Sequence, residues 1–422
     1  MGRRREQPVR RTATTAGVRS SGDLKAHKPD YLLTVIVMAL VAVGLIMLYA
    51  TGSIVKLSIT GGVNDKNTYF TTQLLSFGLG LIVWYIVAKI RYDFWRRYSF
   101  ILFIASFVLM LFVLIPGLAT STNGATRWLR VGSLSLQPVE FFKLGLILYL
   151  ATWLEKHKDK LKSFRSGLVP FLLILGASCF LAVFIQKDMG SAMVLLGAGM
   201  SVLLLSSMPL WLYGGAFGMF FAGGVAMIMV QPYRLARVMT FFNHKEDISA
   251  SGYHINQALI ALGSGGILGK GLGKGLQSYG YLPESTNDSI FAILGEQFGF
   301  WGTTIVIGLF TALVYRGLAI VRRAPDDFSR LTAVGITAWF GLQALINIAA
   351  MLNLIPLTGI PLPFISYGGT SMLASLIGVG ILQNISKYTT KEATDAYSGI
   401  GRRVGGAYRA DSGSSRRVTT AR

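Results

Sequence analysis

The sequence predicts an all-α integral membrane protein of about ten transmembrane helices, with a large extracytoplasmic loop between the seventh and the eighth. Three observations carry this. Of 422 residues, 52% are hydrophobic and only 14% charged, and the mean hydropathy is +0.53, too apolar for an ordinary soluble domain. Ten apolar runs separated by polar turns are long enough, or nearly so, to cross a hydrocarbon core of roughly 30 Å, which takes about 20 helical residues. With the N-terminus inside, 29 of the 40 Lys and Arg fall on the inner side, 10 on the outer, and Lys143 lies within a span. That asymmetry is the positive-inside rule, and it places both termini in the cytoplasm. It also accounts for the net charge of +21 without nucleic acid as a partner. A strand-built barrel is excluded, since it would show alternating segments of roughly ten residues.

Taken in order, residues 1–30 form a basic cytoplasmic tail rich in Arg, Thr, Ser and Gly. The apolar run after it is too long for a signal-peptide core and shows no convincing cleavage site, so it stays as an anchor. The membrane domain is 31–387. Its spans are expected at 31–51, 70–90, 99–119, 139–154, 167–185, 191–206, 209–230, 289–315, 331–352 and 366–386. The inner loops 89–97, 156–165 and 316–330 are short and basic, and 231–288 is the large outer loop. Residues 388–422 form a second basic tail, disordered by composition. Both tails suit anionic lipid headgroups, or serve as topology signal and solubilising segment. Cys179 is the only cysteine, so there is no intrachain disulfide. The four histidines lack metal-ligand spacing.

Candidate functional residues gather at the outer ends of the spans. Arg127-Trp128 precedes Gln137-Pro138-Val-Glu140-Phe-Phe-Lys143, where Pro138 suits a first helical turn. Glu140 and Lys143, three apart, share a helical face and can pair. Either charge alone at mid-membrane costs about 2.5 to 3.5 kcal/mol, so the two imply a partner or a wet cavity. The pair fits a helix-packing role as well as a polar site. Asp188, in Gln186-Lys187-Asp188-Met-Gly190, fits both that cavity and a helix N-cap.

In the large loop, Arg237 and the segment Gly263-Ser-Gly-Gly-Ile-Leu-Gly-Lys270-Gly-Leu-Gly-Lys274-Gly275 stand out. This is no Walker A motif, because Leu268 holds the place of its first glycine and Gly275 that of its Ser or Thr. What is left is a glycine-shaped loop, or one that reaches an anionic headgroup through backbone N–H groups, Lys270 and Lys274. Asp288 is the sharpest candidate. It sits at the outer mouth of a span, beside Glu284 and eight residues before Glu296, where partial desolvation raises a carboxyl toward the range of a useful base. Helix capping is its alternative. Finally, Pro356 to Ser371 is a proline-stiffened loop whose Ser366 and Tyr367 suit a polar ligand pocket, or close helix packing.

These motifs together resemble the SEDS family of bacterial cell-wall polymerases, the group of FtsW, RodA and SpoVE. The resemblance runs from about Tyr31 to Lys387. It rests on Arg127-Trp128 with Gln137-Pro138-x-Glu140-x-x-Lys143, and on Gln186-x-Asp188-x-Gly190. Further on are Gly252-Tyr-His-Ile-x-Gln257 with Gly263-Ser-Gly-Gly266, then Tyr281-Leu-Pro-Glu284 with Asp288 and Ile290-Phe-Ala292, then Pro361-Leu-Pro-Phe-Ile-Ser-Tyr-Gly-Gly369.

It implies a peptidoglycan glycosyltransferase that polymerises lipid II, an undecaprenyl-pyrophosphate-linked disaccharide-pentapeptide, at the outer face of the bacterial cytoplasmic membrane. Asp288 matches the family's essential acid, the base toward the acceptor hydroxyl, and Glu140, Lys143 and Asp188 match its polar cavity positions. Arg127, Arg237, Lys270 and Lys274 are candidates to stabilise the departing pyrophosphate, with or without a divalent metal ion. The implied partners are a class B penicillin-binding protein transpeptidase and other divisome membrane proteins.

Two departures stand out. The family's usual Pro-Glu-x-His-Thr-Asp is here Pro283-Glu-Ser-Thr286-Asn287-Asp288, and its Glu-Glu pair is Glu296-Gln297. The runs around Arg234-Leu-x-Arg237 and Gln277-Ser-Tyr-Gly-Tyr-Leu-Pro are closer to the division-type FtsW, while Gly295-Glu-Gln leans to RodA and elongation. A lipid II transporter is the alternative from another class, although no paired broken helices are visible in corresponding halves.

Overall fold

A chain in hydrocarbon must satisfy its backbone N–H and C=O groups internally, so long apolar runs become helices. The computed structural model describes residues 27–388 apart from 61–67, 116, 123–124, 132–133, 207 and 243–249. The two expected tails, beyond their innermost residues, lie outside the described residues.

The ten predicted positions are filled by α1 (Tyr31–Thr60), α2 (Thr68–Lys89), α3 (Tyr92–Leu111), α4 (Pro138–Lys156), α5 (Val169–Phe180), α6 (Met189–Leu204), α7 (Leu210–Val230), α10 (Ile290–Arg323), α11 (Asp327–Met351) and α12 (Gly369–Ser386). The large loop adds α8 (Pro232–Phe242) and α9 (Ala250–Gly265). Single π turns, Phe164–Leu168 and Leu181–Ile185, extend α5 at both ends. Seven of these helices are long and apolar enough to cross a membrane by length and composition alone; α4, α6 and α12 lie at predicted positions but are not among the seven.

The third span differs from its expected bounds. It starts at Tyr92 and its α-helix stops at Leu111. Ile115 is already extended, at φ −79° and ψ 118°, as a residue before proline prefers. The chain then turns into a three-stranded antiparallel sheet, β1 (Ala119–Thr122), β2 (Ala125–Val131) and β3 (Leu134–Leu136), in the order β1-β2-β3. Leu129 pairs with both Ala119 and Leu136. This sheet is not visible in the hydropathy pattern. Its strands are too short and too polar to register there, and they carry Arg127 between α3 and α4.

α11 is the central element. Trp339 and Phe340 are fully buried in it, and it packs on α4, α6, α10 and α12. α10 is broken at Gly299, where φ is +65° and ψ −157°, a conformation that glycine alone takes without strain. The break frees carbonyls, and the glycine-rich segment after α9 satisfies them. Lys270 N donates to Glu296 O (3.0 Å) and Gly271 N to Gln297 O (3.0 Å), while Phe300 N donates to Gly266 O (2.9 Å). The backbone N–H groups expected to face an anionic headgroup are, at Lys270 and Gly271, committed to repairing a helix.

Candidate active site

Asp288 closes the loop that leads from Tyr281 into α10, and the backbone of that loop is tied down on several sides. Asn347 Nδ2 on α11 donates to the Asp288 carbonyl (2.7 Å) and to Ile360 O (2.7 Å). Ser366 Oγ donates to Asn287 O (2.6 Å), and Tyr367 N donates to Thr286 O (2.9 Å). Within the loop, Asn287 N and Ser289 N both donate to Glu284 O, at 2.9 and 3.2 Å. Glu284 itself takes φ +50°, a sparsely populated conformation held by these bonds. The acid is carried on a frame, and Ser366 and Tyr367 are part of that frame.

The Asp288 side chain is half-buried. Desolvation, with Glu284 adding like charge, pushes its carboxyl up to about 7, against the opposing pull of hydrogen bonds and of Arg237. A carboxyl poised there can take a proton from a sugar hydroxyl near neutral pH and release it again. An imidazole reaches the neighbourhood from α9. His254 Nε2 lies 2.6 Å from Ser289 Oγ, whereas the loop itself has Thr286 where the usual run carries histidine.

The second cluster is the buried pair on α4. Lys143 Nζ lies 2.8 Å from Glu140 Oε1, each side chain 1% exposed. Lys143 also donates to Gln343 Oε1 (2.8 Å), which accepts from Trp339 Nε1 (2.7 Å) as well. Ser371 Oγ donates to the other Glu140 oxygen (3.4 Å). Gln343 Nε2 then donates to Pro361 O (2.9 Å). Gln343 and Asn347, four apart, share one face of α11. One amide holds the ion pair and the proline loop, and the other holds the proline loop and Asp288. Neither amide is among the residues picked from sequence. Their signal is two amides at helical spacing inside an otherwise apolar span.

The remaining candidates fall in separate places. Asp188 caps α6, accepting from Ser191 N (3.0 Å) and Ser191 Oγ (2.8 Å), so its capping reading is realised. Arg127 on β2 clamps the turn before it, donating to Gln186 O (3.3 Å) and Lys187 O (2.6 Å). Arg237 on α8 donates to Leu357 O (3.1 Å) in the proline loop. Buried Glu296 accepts from Lys270 Nζ (3.1 Å), Leu276 N (2.8 Å) and Gln277 N (3.1 Å), which anchors the glycine-rich segment. Lys274 is exposed. The structure thus brings Asp288, Glu284, Ser366, Tyr367 and Arg237 around one loop pair and links Glu140 and Lys143 to it through α11. Lys270 and Glu296 form a separate brace. Among the described residues no three His, Cys, Asp or Glu side chains form a group able to hold a metal ion.

The sequence model of the FtsW/RodA/SpoVE family, whose description is "Cell cycle protein", matches residues 30–391. The chain belongs to the FtsW/RodA/SpoVE family. It is 38% identical over 367 residues to stage V sporulation protein E of Bacillus subtilis (strain 168), covering 86% of this chain and 99% of that one. It is 36% identical over 358 residues to the probable peptidoglycan glycosyltransferase FtsW of Geobacter sp. (strain M18), covering 85% and 96%.

Among solved structures it resembles a chain of a peptidoglycan synthase complex in which polymerization and crosslinking are structurally coordinated. The TM-score is 0.69 at 26% identity, over 85% of this chain and 97% of that one. It also resembles the rod shape determining protein RodA of Thermus thermophilus, with a TM-score of 0.61 at 25% identity, over 86% and 98%. The family match covers the ten-helix body and both clusters described above.

Proposed function

We propose that this protein is a peptidoglycan glycosyltransferase that polymerises lipid II into glycan strands, with Asp288 as general base. The observation that carries the proposal is a carboxyl pushed up to about 7 on a backbone frame fixed by Asn347 and Ser366. The acceptor hydroxyl oxygen attacks the anomeric carbon of the donor and its proton passes to Asp288. The bond from that carbon to the pyrophosphate breaks, and the lipid pyrophosphate leaves. Lys274, exposed on the glycine-rich segment, and Arg237 supply positive charge for the departing group. The division-type reading is favoured because relatives with the FtsW name match at 33–36% identity across most of the chain.

The body 31–387 lies in the cytoplasmic membrane with both termini inside, as the distribution of Lys and Arg supports. The partner is a class B penicillin-binding protein transpeptidase, since the structural relative works within a synthase complex coupling polymerization to crosslinking. The test is direct. The chain, purified with that transpeptidase and given fluorescent lipid II, should yield glycan strands resolved on a gel. Translocation of the headgroup across vesicles with no polymer formed would support the transporter reading instead.

The same carboxyl sets a pH dependence. The base acts deprotonated, so kcat/KM should rise as pH increases through about 7. Glu284 raises the Asp288 carboxyl by like charge, so Glu284→Gln lowers it. The acid limb should then move to lower pH, with the variant outperforming the parent at pH 6 in the polymerisation assay.

A further inference from the structure

Ser289 occupies the N-cap position of α10, yet its side chain makes no cap bond. Serine is favoured there because its oxygen accepts from the first free N–H groups of the helix. Here the hydroxyl faces the other way. Its oxygen lies 2.9 Å from Pro283 O, 2.6 Å from His254 Nε2 and 3.4 Å from Asp288 Oδ1.

A hydroxyl carries one proton and two lone pairs. Pro283 O and an ionised carboxylate only accept, so the group that can donate to Oγ is the imidazole. That selects the neutral tautomer of His254 with its proton on Nε2. Burial, with Arg237 adding like charge, lowers the ring to about 4, which keeps it neutral throughout the range in which Asp288 titrates. With Nε2–H directed at Oγ, the single hydroxyl proton is shared between Pro283 O at 2.9 Å and Asp288 Oδ1 at 3.4 Å. The contact to Asp288 is the longer of the two, as hydrogen bonds at a catalytic group often are without substrate. The other carboxylate oxygen, Oδ2, lies against Gly359, where even a methyl group would stand 3.7 Å away.

We propose that His254, acting through the Ser289 hydroxyl, is a positioning residue for the reaction: it fixes Oδ1 of Asp288 and presents Oδ2 to the acceptor hydroxyl. The proposal rests on the reading of Asp288 as base. The groups that face this carboxyl are Glu284 from its own loop, Arg237 from α8, and the His254–Ser289 pair from α9 and the α10 N-terminus; Asn347 from α11 is neutral and binds the Asp288 backbone carbonyl instead.

The test uses the full chain with its transpeptidase in vesicles and lipid II as substrate, with initial rates taken from pH 5.5 to pH 9 and the melting midpoint recorded for each variant. His254→Ala should lower kcat by roughly ten- to a hundred-fold, the scale of a misplaced catalytic group, and leave KM unchanged. His254→Gln, which keeps an N–H donor at similar reach, should restore most of the rate. Ser289→Ala removes the hydrogen bond that favours the ionised carboxyl, so its acid limb should move to higher pH. The double variant should be no slower than the slower single one, because both act through one contact.

The proposal is overturned by a parental kcat and pH profile in His254→Ala, by equal loss in His254→Ala and His254→Gln at unchanged melting midpoint, or by additive losses in the double variant. If His254→Ala does not insert stably, Ser289→Ala reports the same contact through its pH profile. Asp288→Asn serves as the control. Full activity in that variant removes the base reading itself, whereas its inactivity beside parental His254 variants removes only the positioning role.

Discussion

Asp288→Asn should reduce glycan synthesis to background while leaving the protein folded. The substitution is nearly isosteric and deletes one capacity, that of accepting a proton. The bonds that hold the loop use the carbonyls of Thr286, Asn287 and Asp288, so the frame survives. A half-buried carboxyl already pushed up to about 7 contributes no ion pair whose loss would unfold the chain. General-base catalysis contributes about 10² to 10⁴ in rate. Gel analysis of polymerised lipid II resolves a loss of that size, and the melting midpoint of the purified variant should match the parent. A retained rate would move the base role elsewhere. A lost rate with a collapsed midpoint would mean that the carboxyl is structural.

Much of this is legible in the sequence, for reasons that differ between elements. The ten helices follow from hydropathy, because length and apolarity are what a bilayer selects for. Glu140 and Lys143 can be paired from their spacing alone, since three residues bring side chains onto one helical face. Asp188 announces its cap by standing just before a run of small and apolar residues. The small sheet is different. Leu129 and Leu136 find each other through register, which hydropathy does not encode.

The glycine-rich segment is different again. Its composition suits both a ligand cradle and a backbone graft, and only the break at Gly299 decides which carbonyls its N–H groups meet. The link from the ion pair to Asp288 is not encoded locally either. It depends on Gln343 and Asn347 facing a proline loop some fifteen residues later in the chain, a contact made by tertiary packing. His254 is the clearest case. In sequence it stands 34 residues before Asp288 with no metal or triad spacing, and only the packing of α9 on α10 brings its ring to Ser289.

Lys143→Met should be the most damaging single change to stability. Lys143 is buried with three acceptor-side contacts: Glu140 Oε1, Gln343 Oε1 and the Trp339 ring, whose centroid is 5.1 Å away. Removing one member of a buried pair leaves the other uncompensated, at a cost of roughly 3–5 kcal/mol. Here the abandoned group would be Glu140, with Ser371 as its remaining partner at 3.4 Å. Methionine fills most of the vacated volume, so the loss reads as electrostatics more than as a cavity.

The double variant Glu140→Gln/Lys143→Met removes the stranded charge and should recover more than half of the lost stability, measured as the shift in melting midpoint or in denaturant midpoint in mixed micelles. Equal destabilisation of single and double variants would show that the pair acts through packing alone. Activity offers a second readout. Gln343 spans Lys143 and Pro361, and the Pro361 loop is held by Asn347 together with Asp288. A double variant that regains its stability should therefore still polymerise more slowly than the parent, because the amide that positions the loop has lost its cation.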